Sequence, residues 1–364
     1  MSAELLSSSS VSAGSVRWDE ETGMWTVSGF AEIGAVLRGT GWSSDPARQP
    51  GAPQALRELP PGNLLFTDPP DHTRLRRLLA PAFTPRAIEP LRHRVTAIVE
   101  AVLDGLDDET DLLRDVAYLI PVAVIAELLD VGADGAELLL ELTPRLVRIL
   151  EFDSDDEAIL AGAAASVELI MFLTPLLAER QKDPGEDFIS AMLAVPGGLT
   201  PGEVANICIL LLTAGHETTA NLMASSSLAL LEGRADREAL LADPVRSVEE
   251  LLRCEGPVKQ LFRTAAEPQE LGGHHIAEGE AVRLLVREAN LAQAPLDLRR
   301  DTLPHLAFGG GMHYCLGAGL ARMEAIETLP RLFTRYPSMT LRSHAWRDST
   351  TFHALDELRV SLGG

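Results

Sequence analysis

The sequence holds only three cysteines among its 364 residues, Cys208, Cys254 and Cys315. So sparse and odd a set builds no disulfide framework, suits a reducing compartment, and leads to a cytoplasmic expectation. Basic residues are scarce as well: 31 Lys and Arg stand against 53 Asp and Glu, a formal net charge of −22. Such a surface repels nucleic acid and anionic membranes, and neither is expected as a partner. The opening MSAELLSSSSVSAG places no basic segment ahead of an apolar one, so no signal peptide or membrane anchor is read there. The longest unbroken apolar run, Ile207 to Leu212, falls far short of the roughly 20 residues that span a bilayer. Neither a repeat nor an interdomain linker shows. A composition of 46% hydrophobic and 23% charged residues fits one large globular domain over residues 15–364, behind a Ser-rich, disordered residues 1–14.

The periodicities that are present predict a mainly α chain with small β-sheets. From Val16, VRWDEETGMWTVSGF alternates as two short strands about a turn at Thr22-Gly23, and a helix follows over Ala31–Arg38. Residues 43 to 63 are loop, rich in Pro, Gly and Ser. Asp71 or the paired prolines before it open a helix on which His72 and Arg76, at i and i+4, share a face. A cation pair of that kind suits an anionic ligand. From Asp111 to about Lys182 the pattern is helical, with breaks near Gly132–Gly135 and at Asp153-Ser154. Thr200-Pro201-Gly202-Glu203 is a capping box with proline at the first helical position. The helix it opens should run to Glu232, roughly 30 residues or about 45 Å.

Two stretches carry chemistry. In the middle of the long helix, Ala214-Gly215-His216-Glu217-Thr218-Thr219 gathers residues that weaken helix. A local break there would present a hydroxyl and an acid to a ligand, which is what a proton relay needs. The second stretch is FGGGMHYCLG, Phe308 to Gly317. Its glycines let the backbone turn tightly and aim N–H groups at a sulfur, and Cys315 meets the start of a helix over Leu316 to about Phe333. Helix N-termini favour the thiolate. His274-His275 falls in a turn and reads as that rather than as a metal pair.

FGGGMHYCLG resembles the F-G-x-G-x-H-x-C-x-G pattern of the heme-thiolate monooxygenases (cytochrome P-450), with Phe308, Gly309, Gly311, His313, Cys315 and Gly317 in place. The resemblance covers residues 16–364. It implies the cytochrome P-450 fold in a single large domain, with heme b (iron protoporphyrin IX) as cofactor and Cys315 as its iron ligand. AGHETT resembles that family's A-G-x-[DE]-T, which implies Ala214 beside the heme, Thr218 handing a proton to bound oxygen, and Glu217 feeding protons from solvent. His72, Arg76, Arg263, His305 and His313 would reach the heme propionates. Glu250-Leu251-Leu252-Arg253 resembles E-x-x-R, a buried ion pair behind the loop. The implied reaction is hydroxylation or epoxidation of a small organic molecule, free or carrier-protein-bound, in secondary metabolism. Its two electrons would come from a ferredoxin-type donor, and the six arginines between Arg74 and Arg94, against Glu89 alone, would dock an acidic one. The substrate pocket would be lined from Leu56 to Leu65, Leu146 to Phe152, Leu211 to Thr218, Val258 to Phe262 and at Thr351-Phe352, with Lys259 and Gln260 offering polar contacts.

One segment departs from the family. NLAQAPL, Asn290 to Leu296, stands where relatives carry a longer meander that supplies a third partner to the Glu250–Arg253 pair. A buried pair short of a partner costs stability, so rewiring through Arg299 or Arg300 is expected. The same departure leaves open a degenerate, heme-poor relative serving as a recruitment or scaffold protein. Thiolate-ligated iron also leaves open oxidative coupling or desaturation.

Overall fold

The computed structural model describes residues 14–50, 52, 57, 63–151, 156–195 and 198–363. The expected disorder up to residue 13, Leu56 of the pocket loop, and the helix break at 153–154 lie outside the described residues. The longer helices are α1 Phe30–Arg38, α2 Asp71–Leu79, α3 Arg92–Asp104, α4 Leu119–Leu129, α5 Gly132–Val147, α6 Asp156–Lys182, α7 Pro201–Leu231, α8 Pro244–Glu255 and α9 Ala318–Arg335. The strands are short: β1 Val16–Asp19, β2 Met24–Val27, β3 Trp42–Ser43, β4 Glu109–Asp111, β5 Leu261–Ala265, β6 Gln269–Leu271, β7 His274–Ile276, β8 Ala281–Leu284, β9 Thr340–Trp346 and β10 Leu355–Ser361. They make a sheet in the order β1-β2-β8-β5-β3, a second in the order β4-β10-β9, and the hairpin β6–β7. Only β2 with β8 is parallel.

α7 organises the interior. The capping box forms as read: the Thr200 hydroxyl accepts from the Glu203 N–H, and a Glu203 carboxylate oxygen accepts from the Thr200 N–H at 2.8 Å. The helix then runs 31 residues and threads two separate hydrophobic cores. Val204, Ile207, Cys208 and Leu212 pack with α2, α4, α5 and α6. Ala220, Leu222, Met223 and Leu228 pack with α3, α8, α9 and β10. Between the two cores the helix is polar, from Thr213 to Thr219, and that is where a ligand can enter.

α6 corrects the reading of apolar runs. Glu157–Lys182 is long and apolar enough to cross a membrane by length and composition, because its sequence is apolar on both faces. Ala165, Leu169, Leu173 and Leu177, spaced by four, pack into the core. Leu160, Val167 and Met171 face outward.

Candidate active site

The cysteine loop is built by close backbone approach. Gly309 and Gly311 take φ of 67° and 62°, where a side chain is strained. A β-carbon on Gly311 would collide with the Leu37 carbonyl oxygen of α1, so that position admits only glycine. The Cys315 N–H donates to the Phe308 carbonyl at 2.9 Å, which closes the loop. The N–H groups of Gly317 and Ala318, at the start of α9, point at the sulfur. Burial nonetheless raises the thiol above its ordinary range, outweighing these N–H groups and the charges of Arg76 and Arg322. A thiolate here therefore calls for a bound cation, which deprotonates a coordinating thiol outright.

The polar stretch of α7 shares with Cys315 a cavity of about 370 Å³. Ala214, Gly215, Thr218 and Thr219 line it, together with Phe308, Gly309, His313, Cys315 and Gly317 from the loop. The helix there is unbroken, contrary to the expected local break. Instead the Thr218 hydroxyl donates to the Ala214 carbonyl at 2.7 Å, so a second acceptor bond is added to an intact turn. A β-carbon on Gly215 would meet only Ile125 Cδ1, at 3.5 Å, so the glycine leaves the cavity side of the helix open.

Glu217 is on the other side of α7. It is buried, and Oε1 accepts from Arg347 Nη1 at 2.7 Å, Asn221 Nδ2 at 2.9 Å and the Tyr118 hydroxyl at 3.4 Å. A π-turn over Leu113–Ala117 sets Tyr118 in place for this, and for stacking on His216. Burial keeps His216 neutral, so its Nε2–H donates to the Tyr118 carbonyl at 2.9 Å. Glu217 therefore has no open path to solvent of its own. Its link outward is Arg347, which also binds the half-exposed Asp356 at 3.0 Å.

Two arginines and two imidazoles gather at one side of the cavity. The rings of His72 and His313 lie 4.2 Å apart, and Arg76 and Arg263 line the cavity beside them. Burial pulls all four toward the neutral form, and the neighbouring positive charges add to it at the two imidazoles: His313 falls to about 3 and Arg263 to about 10. Asp68 works against this at His72 and Arg263, and it already accepts from Ser43 and Ser44. His72 Nε2 and His313 Nε2 are buried with no partner among the described residues. Orphaned nitrogens beside the positive charge of Arg76 and Arg263 fit the carboxylates of a heme, whose iron Cys315 would hold.

His305 is not part of that group, which corrects the expectation for it. Its Nε2 lies 3.1 Å from Glu249 of α8, and its ring turns toward Phe308. Glu249 was missed in the sequence because its neighbour Glu250 carried the motif; successive helix positions face different ways. Glu250 and Arg253 form the buried bidentate pair, at 2.6 and 2.7 Å. The short segment repairs itself through the backbone: Arg253 donates to the carbonyls of Asn290 at 2.6 Å and Pro295 at 3.2 Å, and Glu250 accepts from the Asp297 N–H at 3.1 Å. Arg300 reaches only to 3.7 Å of Glu250, while Arg299 pairs with Asp236 and Glu238.

The rest of the wall is mostly apolar, with Leu65, Phe66, Leu211, Val258 and Phe352, and with Ser44, Gln49, Gln260 and Thr351 among its polar points. Leu146 and Val147 are buried in the core instead of lining it, Phe152 is outside the described residues, and Lys259 turns away to the Ser349 carbonyl at 2.5 Å. Glu324 of α9 also lines the cavity, unforeseen, because nothing in the mixed sequence of α9 sets it apart from Arg322 and Glu327. The arginine face is mostly spoken for. Arg74 binds Glu203, Arg92 binds Glu89 and Glu327, Arg94 binds Glu127, and Arg76 faces the cavity. His275 binds Glu270 on the β6–β7 hairpin, and the described residues hold no His/Cys/Asp/Glu cluster fit for a metal ion.

No protein-family model matches the chain. It is similar to cytochrome P450 107B1 of Saccharopolyspora erythraea, 38% identical over 339 residues that cover 88% of this chain and 81% of that one. It is similar to the biotin biosynthesis cytochrome P450 of Bacillus subtilis, 34% identical over 93% of this chain and 90% of that one. Among solved structures, P450BioI in complex with an acyl carrier protein ligated to hexadec-9Z-enoic acid matches with a TM-score of 0.88 at 32% identity, covering 95% of this chain and 94% of that one. Likeness that extends along nearly the whole of both chains, and not only through a cysteine loop that short patterns can imitate, makes this chain a member of the cytochrome P450 family.

Proposed function

We propose that the protein is a heme-thiolate monooxygenase of secondary metabolism that takes two electrons from a ferredoxin-type donor and hydroxylates or epoxidises a small organic molecule in the cytoplasm. One oxygen atom of O2 enters the substrate and the other leaves as water, so each turnover consumes two electrons and two protons. The observation that supports the reading is one cavity lined by both Cys315 and Thr218, with the orphaned imidazole nitrogens of His313, which lines it, and of His72, whose ring lies against that of His313.

Heme b, held by Cys315 with its carboxylates among His72, Arg76, Arg263 and His313, supplies the reductive activation of O2. Thr218 holds a proton at Oγ1 on the cavity side, fixed by the Ala214 carbonyl. Glu217 is the acid of the relay, and Arg347, which donates both to it and to Asp356, fixes its carboxyl group without itself passing a proton. Gly215 leaves the space that a small reactant needs. The apolar wall expels water, and Gln260 and Thr351 orient a substrate that carries a polar group. The complex of P450BioI with an acyl carrier protein supports a substrate delivered free or on a carrier. The scaffold alternative loses its motive, because the shortened segment satisfies Arg253 through backbone carbonyls.

Cys315→Ser tests the reading. The reduced carbon monoxide complex of the native protein should show the red-shifted Soret band, and the variant should lose it. Survival of that band in the variant would overturn the ligand assignment.

A further inference from the structure

Arg322 lies outside every motif, one turn beyond Ala318 on α9. Its guanidinium is fixed from four sides. Nε and Nη2 donate to the two oxygens of Glu249 at 2.5 and 3.0 Å. Nη1 donates to the Tyr314 hydroxyl at 3.3 Å and to the Ala318 carbonyl at 3.4 Å. The guanidinium carbon stands 4.4 Å from the centre of the Phe308 ring. Glu249 is itself braced by His305. Burial works against its ionisation, but the bonds from His305 and Arg322 hold the carboxyl down to about 2, so it is a fixed anion at neutral pH.

Each contact of Arg322 leads to the sulfur. Phe308 supplies the carbonyl that takes the Cys315 N–H, Tyr314 precedes Cys315, and Ala318 aims its own N–H at the sulfur. The guanidinium also stabilises the ionised sulfur by its charge. The side chain is a quarter exposed, so that charge is screened in part but not removed.

We propose that Arg322 is a positioning residue for Cys315: anchored on Glu249, it clamps Phe308 and sets by its charge how strongly the sulfur donates to iron. This rests on Cys315 being the iron ligand. A positive charge near the sulfur makes the thiolate a weaker donor and favours the reduced, less positive iron. Removing that charge should therefore favour the oxidised form.

The test is a spectroelectrochemical titration of heme-loaded native protein, Arg322→Gln, Arg322→Met and Arg322→Lys. Gln and Met remove the charge, and Met keeps an apolar stem over Phe308 should Gln fail to accumulate. In both, the red-shifted Soret band should persist. At a fixed potential the ratio of reduced to oxidised protein should fall by about threefold to tenfold, the upper end being ~59 mV for a one-electron couple. Arg322→Lys should recover most of the native ratio. An unchanged or raised ratio in the uncharged variants, or a Lys variant that behaves like them, would overturn the proposal. Failure of the ligand assignment shows separately, as survival of the band in Cys315→Ser.

Discussion

Exchanging Glu324 for glutamine should convert a pH-dependent stability into a flat one. Glu324 is 3% exposed, Oε2 has no partner among the described residues, and burial alone pushes its carboxyl up from 4.5 to about 8. The folded state thus binds this proton more tightly than the unfolded chain does. Its stabilising contribution is complete below the unfolded value of 4.5 and is lost as pH rises through about 8. Each pH unit inside that window is worth about 1.36 kcal/mol. Allowing for partial titration at both ends, the step from pH 5 to pH 8 withdraws roughly 3–4 kcal/mol. Glutamine keeps the shape and does not titrate. Urea unfolding of the native protein and Glu324→Gln at pH 5, 6, 7 and 8 should give stability differences that shift in favour of the variant by about that amount across the series. Parallel curves would refute the reasoning, since they would mean that the carboxyl is ionised with a buried partner or reaches water.

Arg253→Ala leaves Glu250 buried without its cation and two carbonyls without their donor, so it should cost about 3–5 kcal/mol in the same unfolding measurement. Thr200→Ala removes the cap of α7 and should cost about 1 kcal/mol. Arg347→Ala cuts the link from Glu217 to Asp356, so the peroxide released per electron consumed should rise, with cofactor content unchanged. Thr218→Ala should raise peroxide release in the same assay by removing the cavity hydroxyl; tight coupling in that variant would count against the relay.

Features set by neighbours along the chain were legible. The capping box placed the start of α7, Gly23 turns with positive φ where a turn was read, and the loop glycines announced a tight approach to the backbone. Local periodicity also located α2 with its His72 and Arg76. The cysteine loop and AGHETT could be read because their chemistry is compressed into a few consecutive residues.

What the sequence could not show is which charge meets which across the fold. His305 and the arginines from Arg74 to Arg94 looked free for propionates or a partner, yet Glu249 claims His305, and Glu203, Glu327 and Glu127 claim Arg74, Arg92 and Arg94. Arg253 needed a replacement partner, and the one it found was a pair of carbonyls that no side-chain pattern reveals. Residue order determined the local turns, the caps and the cysteine loop, because their bonds close within one or two helical turns. Tertiary structure alone decided the sharing of one cavity by Thr218 and Cys315, the turning of Glu217 to Arg347, and the gathering of two arginines and two imidazoles beside that cavity, because those energies depend on burial and on distances between segments far apart in the chain.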